Sequence, residues 1–388
     1  MMLDTTPHPP VIAMIVPTFG RVGGAENLVV ELCECLNREH GYAVHVLAHR
    51  FETTIDGVHP HRIPVWMFPR WIRPYSFAWG VDRALSRIPH DLVHSHERIF
   101  RADVFSVHGM PHHLWIRDVR RKSMSLFDRA TARVERSGYT HPDTRLLLPV
   151  SHLVGQALTD TYPMIRERVQ VLHPGVAFHR FSRCHIREIK AAAKVGFGLS
   201  PSDTVLLFAG MNFEVKRLQL VMEALATLGR QTLEKQNLKL LVIGKGDIPR
   251  YSRLAAELGI ESIVRFPGVQ TDMVRSYAAG DVLVMPSRMD TFGLVVLEAM
   301  AAGLPVILTE RVGAVDVVRS ADCGVVLDAD PDRTSLAEAI CGMLDVGRRT
   351  AMGQSARAQA ASHDWQTVTS RLVQHYESLL QRRRRPCP

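Results

Sequence analysis

Long uninterrupted apolar runs are missing from this sequence. No segment approaches the roughly 18 consecutive apolar residues from which a membrane-spanning helix is inferred, so we expect no such span. No basic segment leads into an apolar run near Met1–Asp4, so we also expect no signal peptide. The six cysteines are scattered and include no Cys-x-x-Cys pair. Neither a zinc site nor a disulfide framework is therefore indicated, and a reducing cytoplasm fits.

Basic residues outnumber acidic ones. The 388 residues include 47 Lys and Arg and 39 Asp and Glu, which gives a net charge of +8. This surplus favours anionic partners, namely nucleic acid, acidic lipid or a phosphorylated glycan. The hydrophobic content of 46% and the charged content of 22% are ordinary for a globular protein. The length is sufficient for two domains with full cores.

One stretch combines a strand, a loop, a helix and a second strand. Residues 281–286 form an apolar run of strand character, and residues 306–308 form another. Between them lies a polar loop and a predicted helix from Leu294 to Ala302, which Gly303 and Pro305 terminate. In a parallel sheet this loop lies at the carboxyl end of its strand, where ligands bind.

The chemistry of this loop indicates a nucleotide sugar. Gly293 lets a ligand approach the backbone, and the amides of residues 292–295 at the helix start attract anions such as a diphosphate. Asp290 and Glu298 would repel phosphate, so we expect them to bind sugar and ribose hydroxyls instead. The alternative is that Asp290 is an N-terminal cap and Glu298 a solvated helix residue.

The pattern from Asp290-x-Phe292-Gly293 through Glu298-Ala299 to Gly303-x-Pro305-Val306 resembles the acidic pair of the family 4 retaining glycosyltransferases. It departs from that motif in one position, because the first acid is Asp290 and not Glu. The resemblance implies the GT-B fold, in which two Rossmann-like domains with parallel sheets face each other across the active cleft. Residues 208–217, 281–298 and 322–324 look closest to glucosyltransferases that build the lipopolysaccharide core.

The resemblance also implies a set of site residues. The strand 204–209 is followed by a loop in which Lys216 matches a family lysine, while Met211 or Asn212 stands where an Arg is often found. A lysine in such a loop can neutralise a diphosphate. The residues with implied catalytic roles are His108, Asp290 and Lys216. The residues implied to bind the donor are Gly23, Gly24, Asn212, Lys216, Arg217, Val269, Asp290, Thr291, Phe292, Gly293, Leu294 and Glu298.

Two of these assignments have structural alternatives. The Gly23-Gly24 loop follows the first strand and resembles the family's loop that closes over the donor phosphate, but any tight turn could use two glycines. His108 ends a strand as the family's donor-sugar histidine does, or it is an ordinary loop histidine. We expect no metal and no cofactor, and we interpret the triplet Asp328-Ala329-Asp330 as a turn before a helix.

Residues 116–137 form a basic amphipathic stretch. Apolar side chains recur at helical spacing among seven Lys and Arg residues. Such a helix can lie on an anionic membrane surface, or it can be an ordinary surface helix with a solvated charged face. We leave both readings open.

The predicted domain organisation is an acceptor-side domain and a donor-binding domain. The first comprises residues 1–185 and is joined by a C-terminal helix at 363–381, and the second comprises residues 186–362. Residues 182–200 are interpreted as the linker entering the second domain, with a short helix at residues 190–194, and residues 382–388 as a basic tail.

The function that the resemblance implies is a retaining, metal-independent transfer of a hexose, with glucose favoured. The donor is a nucleotide diphosphate sugar, with UDP-sugar favoured. The acceptor is a glycan or a lipid-linked molecule. Lipopolysaccharide core or cell-envelope glycan synthesis is the expected context. We expect cytoplasmic localisation, with peripheral attachment to the inner face of the cytoplasmic membrane left open, and no nucleic-acid partner. A nucleotide-sugar epimerase of the same fold and a non-enzymatic module that binds membrane or nucleic acid are the alternatives. The second leaves the Asp290 to Glu298 pattern unexplained.

Overall fold

The computed structural model describes residues 9–21 and 24–384, except for the side chains of residues 24–25 and 383–384. The chain divides into two compact units, of which the first contains residues 1–174 and 365–388 and the second residues 175–364. Each unit is built around its own parallel sheet.

The first unit alternates strands with helices. Its strands are β1 (Val11–Ile15), β2 (Thr18–Phe19), β3 (Ala43–Ala48), β4 (Arg50–Phe51), β5 (Val58–Arg62), β6 (Leu92–Ser95), β7 (Val104–Val107) and β8 (Leu146–Pro149). Its helices before the second unit are α1 (Gly24–Arg38), α2 (Arg73–Leu85), α3 (His112–Leu114), α4 (Leu126–Tyr139) and α5 (His152–Thr161). Short 3-10 helices at Arg70–Ile72 and Pro163–Arg168 and a π-helical turn at Trp115–Val119 complete it.

The second unit repeats this alternation. Its strands are β9 (Thr204–Gly210), β10 (Leu238–Gly244), β11 (Val264–Gly268), β12 (Val282–Met285), β13 (Val306–Thr309) and β14 (Gly324–Leu327). Its helices are α6 (Phe178–Phe181), α7 (Arg187–Gly196), α8 (Leu218–Leu228), α9 (Arg230–Lys235), α10 (Ile248–Glu257), α11 (Met273–Ala279), α12 (Leu294–Ala301), α13 (Val315–Val318), α14 (Arg333–Gly342) and α15 (Val346–Ala361).

The last helix, α16 (Trp365–Arg384), returns to the first unit. It packs against α1, and Gln366 Nε2 donates to Glu39 Oε1 at 3.1 Å. Tyr376 is fully buried, and its hydroxyl lies 2.5 Å from Nδ1 of His94 in β6. The C-terminal helix predicted for residues 363–381 is therefore present. Of the predicted tail, residues 382–384 belong to α16, whereas residues 385–388 lie outside the described residues.

The order of strands creates a switch point in each sheet. The order is β5-β3-β1-β6-β7-β8 in the first unit and β11-β10-β9-β12-β13-β14 in the second, and all pairings are parallel. The central strands are buried on both faces, so they are continuous apolar runs in the sequence, as residues 205–208 of β9 show at 0% exposure. The direction of winding reverses between β1 and β6 and between β9 and β12. Ligands bind at such points, beyond the carboxyl ends of the strands.

The structure corrects two predicted boundaries. Residues 175–185, predicted in the first domain, belong to the second unit, because the Val176 amide donates to the His363 carbonyl at 2.8 Å and the Phe178 amide to Asp364 Oδ2 at 3.2 Å. Residues 182–200, interpreted as a linker, lie within the second unit, and the short helix predicted at residues 190–194 is part of α7. Most of that segment is α7, which packs against α11, and Lys194 of α7 donates to Asp281 Oδ2 at 2.8 Å.

The basic stretch 116–137 is not one helix. A π-helical turn ends at Val119, and Arg121 has a positive φ of 49°, so regular helix resumes only at Leu126. The apolar side chains in its helical part face the core of the first unit, since Ala130 is 5% and Val134 0% exposed. Among the described residues, no helix is both long and apolar enough to span a bilayer.

Candidate active site

The loops that follow β9 and β12 lie side by side at the switch point of the second unit. These strands are hydrogen-bonded neighbours, although β10 and β11 separate them in the chain. The loop after β9 carries Lys216, and the loop after β12 carries Asp290. The fold therefore juxtaposes two residues that the sequence predicts as site residues, 74 positions apart.

Lys216 and Asp290 form an ion pair through Lys216 Nζ and Asp290 Oδ2. Both side chains are 17% exposed, so the pair is partly shielded but still open to a ligand. The Lys216 amide donates to the Asn212 carbonyl at 3.0 Å, and the Asn212 side chain accepts from the Val215 amide at 3.1 Å. Asn212 therefore shapes the turn that carries the lysine.

The backbone of Asp290 is fixed by a third loop, which follows β13. The Asp290 amide donates to the Arg311 carbonyl at 2.9 Å, and its carbonyl accepts from the Gly313 amide at 3.0 Å. The sequence analysis did not include Arg311 or Gly313. A glycine just beyond the end of a buried parallel strand is the signal that could have indicated this loop.

Gly293 permits the sharp entry into α12. Its φ is +88°, a left-handed conformation that favours glycine. A Cβ at this position would lie 2.8 Å from the Met285 methyl carbon and 3.3 Å from Asp290 Oδ2. Phe292 beside it is 3% exposed, and its carbonyl accepts from the Ala314 amide at 2.8 Å. The first amides of α12, which have no carbonyl partner within the helix, thus begin next to Asp290.

Glu298 lies on α12 and accepts a hydrogen bond from the hydroxyl of Tyr277 at 2.5 Å. Burial raises the pKa of Glu298, while the Tyr277 bond and the charge of Arg180 act to lower it. Tyr277 is fully buried in α11, and burial raises the pKa of its phenol well above the usual value, so it remains a donor. Tyr277 was not predicted as a site residue, because no motif separates it from the apolar residues of its short helix.

Arg217 follows Lys216 in the same loop. It adopts a positive φ of 57° before α8, and its Nη2 pairs with Asp330. Its Nη1 is buried without a hydrogen-bond partner among the described residues. Asp330 lies in the Asp328–Asp330 bend before α14, which confirms that this segment is a turn leading into a helix.

The other predicted donor-binding residues are distributed over both units. Val269 follows β11 and is 58% exposed. Thr291 and Leu294 are partly buried on either side of Phe292 and Gly293. In the first unit, Gly24 begins α1, while Gly23 lies outside the described residues.

His108 follows β7, at the carboxyl end of that strand. It lines a cavity of about 260 Å³ together with Pro17, Glu26, His96 and Arg98. Its Nε2 lies 2.9 Å from Nδ1 of His96. Burial, followed by the positive charge of Arg98, lowers the pKa of His108 to about 4, so the imidazole is neutral at pH 7. A neutral imidazole presents one donor and one acceptor and suits a hydrogen bond to a hydroxyl.

In comparisons with known proteins, each unit matches a glycosyltransferase family model. The family model described as "Glycosyltransferase Family 4" matches residues 22–180, and that described as "Glycosyl transferases group 1" matches residues 190–359. D-inositol 3-phosphate glycosyltransferase 2 of Catenulispora acidiphila is 33% identical over 54% of this chain and 50% of its own length. The D-inositol 3-phosphate glycosyltransferase of Thermobispora bispora is 34% identical over 60% and 55%. The chain thus spans about half the length of these curated relatives.

Solved structures share the fold. WaaG, a glycosyltransferase involved in lipopolysaccharide biosynthesis, superposes with a TM-score of 0.78 at 24% identity over 93% of this chain and 98% of its own. Anabaena HepE, solved in complex with UDP and glucose, gives a TM-score of 0.72 at 16% identity over 95% and 100%. At these identities the likeness concerns the fold. With the two family models covering both units, the chain belongs to the family 4 glycosyltransferases and has the GT-B fold with its two Rossmann-like domains.

Proposed function

We propose that this protein is a retaining glycosyltransferase that moves a hexose, with glucose favoured, from a UDP-sugar to a glycan or lipid-linked acceptor. The observation that carries the proposal is the convergence of Lys216, Asp290 and the start of α12 at the switch point of the second unit. A cation and helix amides suit a diphosphate, and a carboxylate beside them suits a sugar hydroxyl.

In this proposal the diphosphate displaces Asp290 from Lys216. The lysine then stabilises the negative charge that develops on the leaving diphosphate, together with the first amides of α12. The freed Asp290 carboxylate accepts from a hydroxyl of the sugar. Glu298, held by Tyr277, accepts from the ribose hydroxyls of the nucleotide. His108 of the first unit presents a neutral hydrogen-bonding group in its own cavity.

The reaction breaks the bond between the anomeric carbon and the diphosphate oxygen. The acceptor oxygen forms its bond to the same face of that carbon, and its proton passes to a phosphate oxygen of the leaving group. The protein supplies orientation and charge stabilisation. Lipopolysaccharide core or cell-envelope glycan synthesis remains the proposed context, for which the shared fold of WaaG is a supporting likeness.

A nucleotide-sugar screen tests this function. The purified protein is mixed with UDP-, GDP- and ADP-glucose and UDP-galactose, with and without lipid-linked acceptor extract, and nucleotide release and product anomers are measured. We expect UDP release that requires the acceptor and yields a product with retained configuration. Acceptor-independent conversion of the donor would identify an epimerase instead, and failure to bind any nucleotide would overturn the proposal.

We also propose peripheral attachment to an anionic membrane through a basic groove in the first unit. Its apolar wall includes Trp71, Leu126 and Met164, which are 43%, 67% and 65% exposed. The basic side chains on the same groove are Arg117, Arg129, Arg133 and Arg136, and Asp160 is the acidic residue among those described there. Exposed apolar side chains beside several arginines suit the interface of an acidic bilayer.

A further inference from the structure

A second cavity lies beside the His108 cavity in the first unit. It has a volume of about 350 Å³ and shares Pro17, Glu97 and Arg98 with its neighbour. Its walls come from the segment after β1, from β4, from the start of α2 and from the segment after β6. A molecule that occupies both cavities would therefore place one end at His108 and the other in the second cavity.

The outer wall of the second cavity carries Arg50 and Arg73. Both are exposed, and neither guanidinium has an ion pair or hydrogen bond among the described residues. Two other exposed arginines of the unit are paired, since Arg101 pairs with Asp82 at 3.2 Å and Arg117 with Asp118 at 2.5 Å. Free guanidinium groups on a concave wall suit a bidentate anion such as a phosphate or carboxylate.

A third arginine, Arg98, is fixed at the boundary of the two cavities. Its Nε donates to Glu135 at 2.8 Å. Glu135 is 1% exposed and also accepts from the His112 amide at 3.0 Å and from the Tyr162 hydroxyl at 3.0 Å. Because these bonds hold the Glu135 carboxylate from several sides, its bond to Arg98 fixes the guanidinium in one orientation. Burial acts to lower the pKa of Arg98, but the charges of Tyr139, Glu135 and Glu97 raise it.

The balance of charge on the cavity wall is positive. Among the described lining residues, the carboxylate is Glu97, against the three arginines Arg50, Arg73 and Arg98. Glu97 lies 3.5 Å from Arg98 Nη1. Its negative charge therefore offsets that of Arg98, the most buried arginine, and not the charges of the two outer arginines. Phe77, Phe127 and Val65 form apolar wall, which suits the body of a sugar ring.

We propose that this cavity binds the anionic group of the acceptor, a phosphate or carboxylate carried on a sugar, with Arg50 and Arg73 as its direct ligands. The assignment of the ligand as acceptor rests on the proposed glycosyl transfer. The anion site itself rests only on the two free guanidinium groups, the fixed Arg98 and the apolar wall. The substrate class is therefore an anionic sugar rather than a neutral one.

Direct binding of small sugars tests the site. Glucose 6-phosphate, glucuronate and glucose are titrated separately against the full chain by calorimetry or ligand-observed NMR. We expect one or both anionic sugars to bind at least about tenfold more tightly than glucose, because charge-assisted bonds are the stronger ones. Which of the two binds better identifies the phosphate or the carboxylate as the preferred group. Equal affinity for all three sugars would overturn the proposal.

A matched pair of variants assigns the binding to this wall. The double variant Arg50→Gln and Arg73→Gln should lose the preference for the anionic sugar. The control, Arg83→Gln and Arg87→Gln, removes the same charge from exposed positions near the end of α2 that do not line the cavity. It should bind as the wild type does. The same loss in both double variants would show a general charge effect and refute the site.

Titration with UDP separates this inference from the proposed function. UDP should bind the Arg50 and Arg73 double variant as it binds the wild type, because its predicted site is in the second unit. Wild-type protein that binds glucose 6-phosphate but no UDP would disprove the proposed transfer and leave the anion site standing. If the double variant is misfolded by circular dichroism, Arg73→Lys replaces it. That variant keeps the charge and removes the guanidinium fork, and unchanged binding there would count against direct ligation.

Discussion

His96 and His108 form a hydrogen bond between their rings, with 2.9 Å separating His96 Nδ1 from His108 Nε2. Nε2 of His96 is buried without a partner among the described residues. A bare acceptor costs less to bury than an unsatisfied N–H donor. The satisfied arrangement therefore has His96 donating through Nδ1, so that His108 accepts at Nε2 and carries its own proton on Nδ1.

His96 is on this basis a positioning residue for His108. His96→Asn retains a donor near the Nδ1 position, whereas His96→Leu removes it. We expect His108 to remain in the Nδ1–H form in wild type and His96→Asn and to become a mixture in His96→Leu. Nitrogen chemical shifts of the imidazole report the tautomer directly. An unchanged tautomer in His96→Leu would contradict this role.

The buried histidines predict a loss of stability in acid. Burial, with a smaller effect from the charge of His108, lowers the pKa of His94 from 6.5 to about 3. The pKa values of His96 and His108 are lowered as well. Arg98 and Tyr376 are the other ionisable groups near these histidines. Because the unfolded state takes up the proton first, the stabilising contribution is complete above pH 6.5 and is lost as the pH falls toward 3.

Each such histidine should lower the free energy of unfolding by up to about 1.4 kcal/mol for each unit by which the pH falls within this window. Urea unfolding at pH 7.5 and 5.5 measures the effect. His94→Gln should reduce the dependence on pH, while His185→Gln, at an exposed position, should leave it unchanged. Identical pH slopes in the wild type and His94→Gln would show that His94 is not a neutral buried group.

The two acids of the second unit should have separable roles. Glu298→Gln replaces charge-assisted bonds to the ribose by neutral ones and should weaken UDP binding by about 1.5–3 kcal/mol. Asp290→Asn should leave the affinity for free UDP nearly unchanged and reduce turnover of the sugar donor. Calorimetric titration of both variants with UDP and with UDP-glucose distinguishes the roles. Equal loss of UDP affinity in both would show that Asp290 serves the nucleotide or the fold.

Tyr277→Phe provides a control for the Glu298 role. It removes the 2.5 Å bond to Glu298 while retaining the buried ring. We expect a weaker loss of UDP affinity than in Glu298→Gln, because the carboxylate remains but is no longer oriented. A loss as large as that of Glu298→Gln would mean that orientation, rather than the charge, determines the affinity.

Donor turnover should be independent of divalent metal. Lys216 and the first amides of α12 would stabilise the leaving diphosphate by themselves. Nucleotide release in excess EDTA should match release in added Mg²⁺. A large loss of activity in EDTA that Mn²⁺ restores would refute this prediction.

Membrane attachment through the basic groove should depend on charge. Co-sedimentation measures binding to two kinds of vesicle. One kind contains neutral and acidic phospholipid, and the other contains neutral phospholipid alone. The acidic vesicles should bind more protein, and added salt should weaken the binding, because surface charges are screened over about 8 Å at physiological ionic strength. Arg129→Gln with Arg133→Gln should bind less than Arg83→Gln with Arg87→Gln. Equal binding to both kinds of vesicle would leave the groove as an ordinary solvated face.

Several features of this protein were determined by local sequence. The strand predicted at residues 306–308 is β13 (Val306–Thr309), because a buried parallel strand is a short apolar run that turn residues delimit. The helix predicted from Leu294 ends at Ala301, beside the glycine and proline that terminate it. Local sequence patterns also indicated the family, the alternation of strands and helices, and the Asp290 to Glu298 loop.

Other features depended on tertiary structure. The periodicity of residues 116–137 predicted a helix, but not that the regular helix α4 begins only at Leu126 or that Ala130 and Val134 face the protein core. The contact of Tyr277 with Glu298 required α11 and α12 to pack, and the pairing of Lys216 with Asp290 required β12 to lie beside β9. Local patterns specify which element a segment forms. The order of strands in the sheet specifies which loops meet, and it is set by the simultaneous burial of both faces of the central strands, which no single segment encodes.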